Sequence, residues 1–332
     1  MAQFTETTPS KKAARKAPVS TTEGKKQKDR KAAYITAAVV LAVILVVVGI
    51  FYYLVYVKPF QTKIIIVGDD SVTIGYFIKR LRMDASAAGD PNVMLERLTH
   101  ELLINQGAPR YGIDATEKDI DEALREMARG ESETISDAEF NEWYRQQLNE
   151  NELSRDEYRE LTRTYVLAEK LYTYLAERVP TVAEQVHLHI IVFETYEDAL
   201  EAKEKLDAGA NFADLARELS LDTESGEQGG DIGWVPVDIL EGSLAWAAPD
   251  LDIGEISEPL AIGQTAFSLI MVSEKAVARE VDENSLELLK AKVLDDWLLE
   301  EMSYKKIEFH GFNNGFDSET YYWIKTQLAK RQ

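Results

Sequence analysis

Between Ile35 and Val57 the chain runs for 23 residues without a charge, as ITAAVVLAVILVVVGIFYYLVYV. A helix of that length, rising ~1.5 Å per residue, crosses a hydrocarbon layer of roughly 30 Å. Tyr34 at one end and Tyr52, Tyr53 and Tyr56 at the other put amphipathic rings where headgroups would lie. A cleavable signal has an apolar region of about 7 to 15 residues that ends in small side chains. FYYLVYVKPF offers no such ending, so the pattern predicts one retained transmembrane helix over residues 34–57.

Charge sets the orientation. Residues 1–33 carry nine Lys or Arg against three acids, in a Ser/Thr/Lys-rich tract with too little apolar surface to fold alone. Positive flanks stay cytoplasmic. The tract is therefore expected to be disordered and cytoplasmic, with the rest of the chain on the far side of the cell membrane. Removing its +6 from the formal net charge of −21 leaves −27 on that remainder. So much acid argues against nucleic acid as a partner and is read as solubility. The bilayer is then met through the apolar helix. The absence of cysteine excludes thiol catalysis, disulfide stapling and a lipid-modified cysteine anchor.

Residues 58–182 open with an apolar strand, Lys63 to Val67, and continue as helices with readable starts. Thr116 with Asp119, Ser136 with Glu139 and Ser154 with Glu157 each fit a capping box, a hydroxyl capping the third amide while a carboxylate reaches back. Apolar stripes at helical spacing, Val93/Leu95/Leu98/Leu102 and Leu167/Leu171/Leu175, predict packed helices. Pro180 ends the last of them. Beyond it the pattern becomes β-α-α-β-α-β-β over residues 183–276, an α+β domain with an antiparallel sheet. Residues 277–332 return to helix and end in an aromatic-rich tail expected to pack on the helical part.

The strand VHLHIIVF, Val186 to Phe193, holds two of the four histidines. Positions two apart on a strand face the same way, which suits a metal, an active site or plain packing equally. The other two, His100 and His310, are far off in sequence, so the sequence offers no third ligand and predicts no metal. Gly229, Gly230 and Gly233 read as backbone turns, because GGDIG is not a dinucleotide fingerprint. No motif calls for a cofactor.

HLHIIV, AGANFADLARELSLD, GGDIGW and GEISEPL follow one another in the order and spacing of a parvulin-type peptidyl-prolyl isomerase domain, which Val186 to Lys275 resembles over its whole length. The helices before it and the helix after Asp282 resemble the chaperone portion of PrsA/SurA-type foldases. The fold so implied is an α+β parvulin domain inserted between all-α chaperone-like segments and preceded by one transmembrane helix. The resemblance also implies site residues. The groove-facing histidine falls on His189, the Asp-or-Cys position on Asp222, the prolyl cup on Leu240 and Leu244, and the second histidine of the family on Ser268, a departure in which a hydroxyl replaces a ring. Ser268 is expected to hydrogen-bond His189. The implied activity is isomerisation of X-Pro bonds in unfolded exported polypeptides. A non-catalytic chaperone with a degenerate groove is the alternative. ETYEDALEAKEK lacks the basic cluster that reads phosphorylated substrates.

Overall fold

The structure is a computed structural model that describes residues 22–84, 87, 89–263, 265–313 and 315–330. The expected disordered tract lies outside the described residues as far as position 21. From there the structure departs from expectation, because helix α1 (Thr22–Tyr52) already begins inside the basic stretch. A π-helical turn (Tyr53–Val57) and the short α2 (Lys58–Gln61) continue it. Tyr34–Gln61 is the one stretch of the described residues that is long and apolar enough to span a membrane, and none of its most apolar window is buried.

Residues 63–332 make a unit of their own. It starts with β1 (Lys63–Val67), β2 (Asp70–Thr73) and α3 (Ile74–Met83). Then come α4 (Pro91–Gly107), α5 (Glu117–Arg129), α6 (Asp137–Glu150) and α7 (Arg155–Ala176). The three capping boxes at Thr116, Ser136 and Ser154 are all formed, each hydroxyl accepting from the third amide and each carboxylate returning to the cap N–H. Arg80, buried between α3 and α4, forms a two-pronged ion pair with Glu101 at 2.7 Å on each arm, which satisfies a charge that burial alone would penalise.

The inserted domain runs β3 (Val182–Phe193), α8 (Tyr196–Asp207), α9 (Phe212–Leu219), α10 (Thr223–Glu227), β4 (Asp231–Pro236), α11 (Gly242–Asp250), β5 (Leu260–Ile262) and β6 (Ala266–Glu280). The strands form an antiparallel sheet in the order β4-β3-β6-β5. β3 and β6 are the two long strands, and their paired ends at Val182 and Glu280 carry the chain in and out.

The chain then returns to the helical part through α12 (Glu283–Tyr304), β7 (Ile307–Phe309) and α13 (Ser318–Ala329). α12 lies on α4 and α7. Trp297 Nε1 donates to Tyr111 at 3.0 Å, and the Trp297 ring occupies the space a side chain at Gly107 would need. α13 packs on α3, with Ile324 fully buried.

The expectation of all-α flanks, with one strand over Lys63–Val67, misses the two strands that pair with it. β7 pairs with β1, and β1 with β2, in a second antiparallel sheet ordered β2-β1-β7. Its center is the apolar strand Ile64/Ile65/Val67, fully buried. A buried strand leaves backbone N–H and C=O groups that only neighbouring strands can satisfy, so β1 recruits a neighbour from each end of the unit.

Candidate active site

β3 sorts its side chains by parity. Val186, Leu188 and Ile190 face a cluster that includes Leu240, Ala248, Leu260, Ile270 and Val272, with Leu244 and Val192 packed against it. Ile191 and Phe193 face the opposite way, toward Phe212, Leu215 and Leu269, with Met271 at the edge. His187 and His189 belong to this second face. His189 is paired across the sheet with Met271, and its ring meets the Phe212 ring edge-on at 6.4 Å.

The two half-buried imidazoles stack at 5.3 Å and 18°, and His187 also lies against Trp234 at 5.4 Å. His187 Nε2 donates to Asp231 Oδ1 at 2.8 Å, and the same oxygen accepts the Gly233 N–H at 2.8 Å. This leaves His187 Nδ1 buried without a hydrogen-bond partner. His189 Nε2 meets Ser273 Oγ at 3.1 Å, and Ser273 reaches the His187 carbonyl oxygen at 3.4 Å. Burial pushes the His189 imidazole down, and His187 adds to this while Asp231 opposes it. Burial alone would raise the Asp231 carboxyl, but the Gly233 N–H and His187 outweigh it and hold the group below the usual carboxylate range.

Asp231 is placed by backbone that only glycine permits. At Gly230 φ is +82°, and a Cβ there would stand 2.6 Å from the Ile190 carbonyl oxygen. The close approach lets Ile190 N donate to Gly230 O at 2.8 Å. The glycine pair thus works as backbone turns, as its sequence indicates.

The five residues singled out by sequence do not converge. Asp222 accepts from Ser225 Oγ at 2.6 Å and, with Asp231 and Ile232, lines an open depression of about 400 Å³. Leu240 and Leu244 line another, of about 480 Å³, with Ala261 and Ile262, and they pack on the face of β3 opposite His189. The expected His189–Ser268 hydrogen bond is not made. Ser268 pairs with Val192 and Leu260, three register steps from His189, and an odd number of steps turns a side chain to the other face. It is fully buried, and its Oγ has no hydrogen-bond partner. His189 finds its hydroxyl at Ser273 instead.

Three members of this network have no assigned role in the sequence reading: His187, Asp231 and Ser273. The GGD turn and the period-2 pairing of β3 with β6 carry the signal for Asp231 and Ser273, but pairing register is visible only once the strands are aligned in space. The family model for the rotamase PPIC-type PPIase domain matches residues 193–274. This stretch is a parvulin-type domain. It holds Asp222, Asp231, Leu240, Leu244, Ser268 and Ser273, while the two histidines lie on the strand that leads into it.

Named proteins share this likeness. The periplasmic chaperone PpiD of Haemophilus influenzae is 39% identical over 109 residues, which cover 33% of this chain and 16% of that protein. The foldase protein PrsA of Oceanobacillus iheyensis is 30% identical over 158 residues, covering 44% of this chain and 50% of PrsA. The chain thus spans half or less of the length of these two relatives. A crystal structure of the peptidylprolyl isomerase PrsA from Bacillus anthracis matches 72% of this chain and 96% of its own, at 17% identity and a TM-score of 0.37.

Proposed function

We propose that the chain is a membrane-anchored foldase acting on unfolded, exported polypeptides that contain X-Pro bonds. In this reading residues 34–57 hold it in the membrane with the N-terminus cytoplasmic. Residues 58–182 and 277–332 make the chaperone part, and residues 183–276 the isomerase. The observation that carries the proposal is the parvulin-type stretch 193–274 with its leucine-lined depression.

Rotation about an X-Pro bond faces a barrier of roughly 20 kcal/mol, because amide resonance is lost at the perpendicular geometry. No covalent step is needed. A site accelerates rotation by holding the twisted amide better than the planar one, about 1.4 kcal/mol for each factor of ten. Leu240, Leu244 and Ile262 supply an apolar notch of a size to take a prolyl ring. On the other face His189, His187 and Ser273 act as positioning residues that hold Asp231 and the β4 turn. Asp222 presents a carboxylate to the same depression as Asp231.

The separation of His189 from the leucines favours a second reading, a chaperone that grips extended apolar segments without turning them over. One experiment separates the two. The detergent-solubilised full chain, in excess, is assayed on a proline peptide by protease-coupled cleavage and on an aggregating client, beside Leu244→Asp and His189→Ala. The isomerase reading expects a rate above background that Leu244→Asp removes. Aggregation suppression with no such rate supports the holdase. Absence of both sinks the proposal.

A further inference from the structure

We infer that His187, His189 and Asp231 form a binding site for a divalent transition metal, of which Zn²⁺ is the best match. One ligand atom from each of the three lies within 4.8 Å of the others, and all three side chains are half-buried. The two histidines share one face of β3, and the GGD turn brings Asp231 under them. A tetrahedral centre with bonds of about 2.0–2.2 Å sets its ligand atoms about 3.4 Å apart. His187 Nε2 and Asp231 Oδ1, at 2.8 Å, already stand inside that separation, and the widest gap among the three ligand atoms, at most 4.8 Å, exceeds it by no more than about 1.4 Å.

The donor set decides the class of metal. Two imidazole nitrogens and one carboxylate oxygen suit zinc, cobalt, nickel or copper, whereas calcium and magnesium take oxygen ligands. Three protein ligands leave one position open, and Asp231 borders the depression of about 400 Å³ through which a water would complete the tetrahedron.

The outer partners are also present. Binding takes up the His187–Asp231 hydrogen bond, and its proton passes to His187 Nδ1, the buried nitrogen that now lacks a hydrogen-bond partner. Glu274 Oε1 lies 3.7 Å from that nitrogen and would accept from it, the carboxylate that commonly orients a ligating histidine. Ser273 Oγ orients His189 in the same way. With four histidines and no cysteine in the chain, competing sites for such a metal are few.

The test is isothermal titration of the chelator-stripped, detergent-solubilised full chain with ZnCl₂, alongside His187→Ala, Asp231→Asn and His310→Ala, with circular dichroism to verify folding. The expected result is one Zn²⁺ per chain, at least ten-fold weaker in His187→Ala and in Asp231→Asn and unchanged in His310→Ala. Co²⁺ added to the unaltered chain should give the intense visible bands of a tetrahedral site, a readout that needs no variant to fold. No saturable Zn²⁺ binding by the unaltered chain, or binding that survives in folded His187→Ala, overturns the inference. Because the titration reads binding itself, its outcome is independent of whether the chain isomerises peptides.

Discussion

The two faces of β3 put one strand to opposite uses. On one, Val186, Leu188 and Ile190 close an apolar cluster with Leu240 and Ile270. On the other, His187 and His189 interrupt the apolar packing begun by Ile191 and Phe193 and are held by Asp231 and Ser273. Polar groups inside a sheet are tolerated where the neighbouring strands bring partners to the same face. β4 and β6 do this for the histidines, whereas Ser268, on the leucine face, has no such neighbour. What a polar residue can do here depends on its face more than on its distance along the chain.

Both faces of β3 are most easily disrupted at Gly230, whose carbonyl accepts from Ile190 on the strand they share. Gly230→Ala would drive a methyl into the Ile190 carbonyl oxygen and against Phe212, at a φ of +82°. Together these costs amount to about 4 kcal/mol. A fall of that size in denaturant stability, with loss of the His187–Asp231 hydrogen bond in imidazole NMR spectra, is the expected outcome. An unchanged stability would mean that the turn can relax away from β3. Next in size is Leu240→Ala. Leu240 is 8% exposed inside the leucine cluster, so truncation should remove about 2–3 kcal/mol and weaken any binding of proline peptides. The His187 and His189 signals should stay where they are, and their movement would show that the two faces are mechanically one site.

Signals that span a few residues are legible in the sequence, and those that depend on distant pairing are not. Capping boxes are local, spanning four residues, so Thr116, Ser136 and Ser154 are legible before any fold exists. The order of elements in the parvulin-type domain is legible for the same reason, since each helix start and turn glycine carries its own chemistry. The pairing of β1 with β7 is not, because a three-residue strand, Ile307–Phe309, has no periodicity to read. The partner of His189 is hidden by register, which shifts between Ala183 and Gln185 and again between His187 and Leu188. Aligning the family's final-strand histidine lands on Ser268, and only the ladder, with its shift at His187/Leu188, shows that Ser273 is the hydroxyl beside the ring.

A third test moves from the sheet to the helical frame around it. Lys170 and Thr116 hold Asp119 below the usual carboxylate range. Ser136 does the same for Glu139, Ser285 for Asp282, and Thr320 with Asn313 for Asp317. Each folded-state value is depressed, so the stability it contributes is fully present above the unfolded value of about 4 and is lost as pH falls through the folded one. The thermal midpoint should thus ease downward from pH 7 to about 5, as unfolding lets His189 take up a proton that the fold disfavours, and decline more steeply below that. Ser136→Ala should shallow that decline, because Glu139 then titrates nearer its ordinary value. A decline of the same slope in Ser136→Ala would place the acid sensitivity elsewhere than in the caps.

The smallest expected effect is the sharpest test of the two-face argument. Ser268 is fully buried on the leucine face, with a hydroxyl that has no hydrogen-bond partner. If that hydroxyl served His189, Ser268→Ala would cost the 0.5–1.5 kcal/mol typical of a lost hydrogen bond and would alter the imidazole tautomer. On the observed register it does neither. Removing an unsatisfied buried hydroxyl while keeping the Cβ should leave stability unchanged or raise it by up to about 1 kcal/mol. Ser273→Ala, by contrast, removes the partner of His189 Nε2 and should shift the His189 ring signals while sparing the leucine methyls. Denaturant melts and imidazole spectra of the two variants, taken side by side, therefore decide which serine belongs to the histidine face. A destabilised Ser268→Ala with perturbed His189 signals would reverse the assignment.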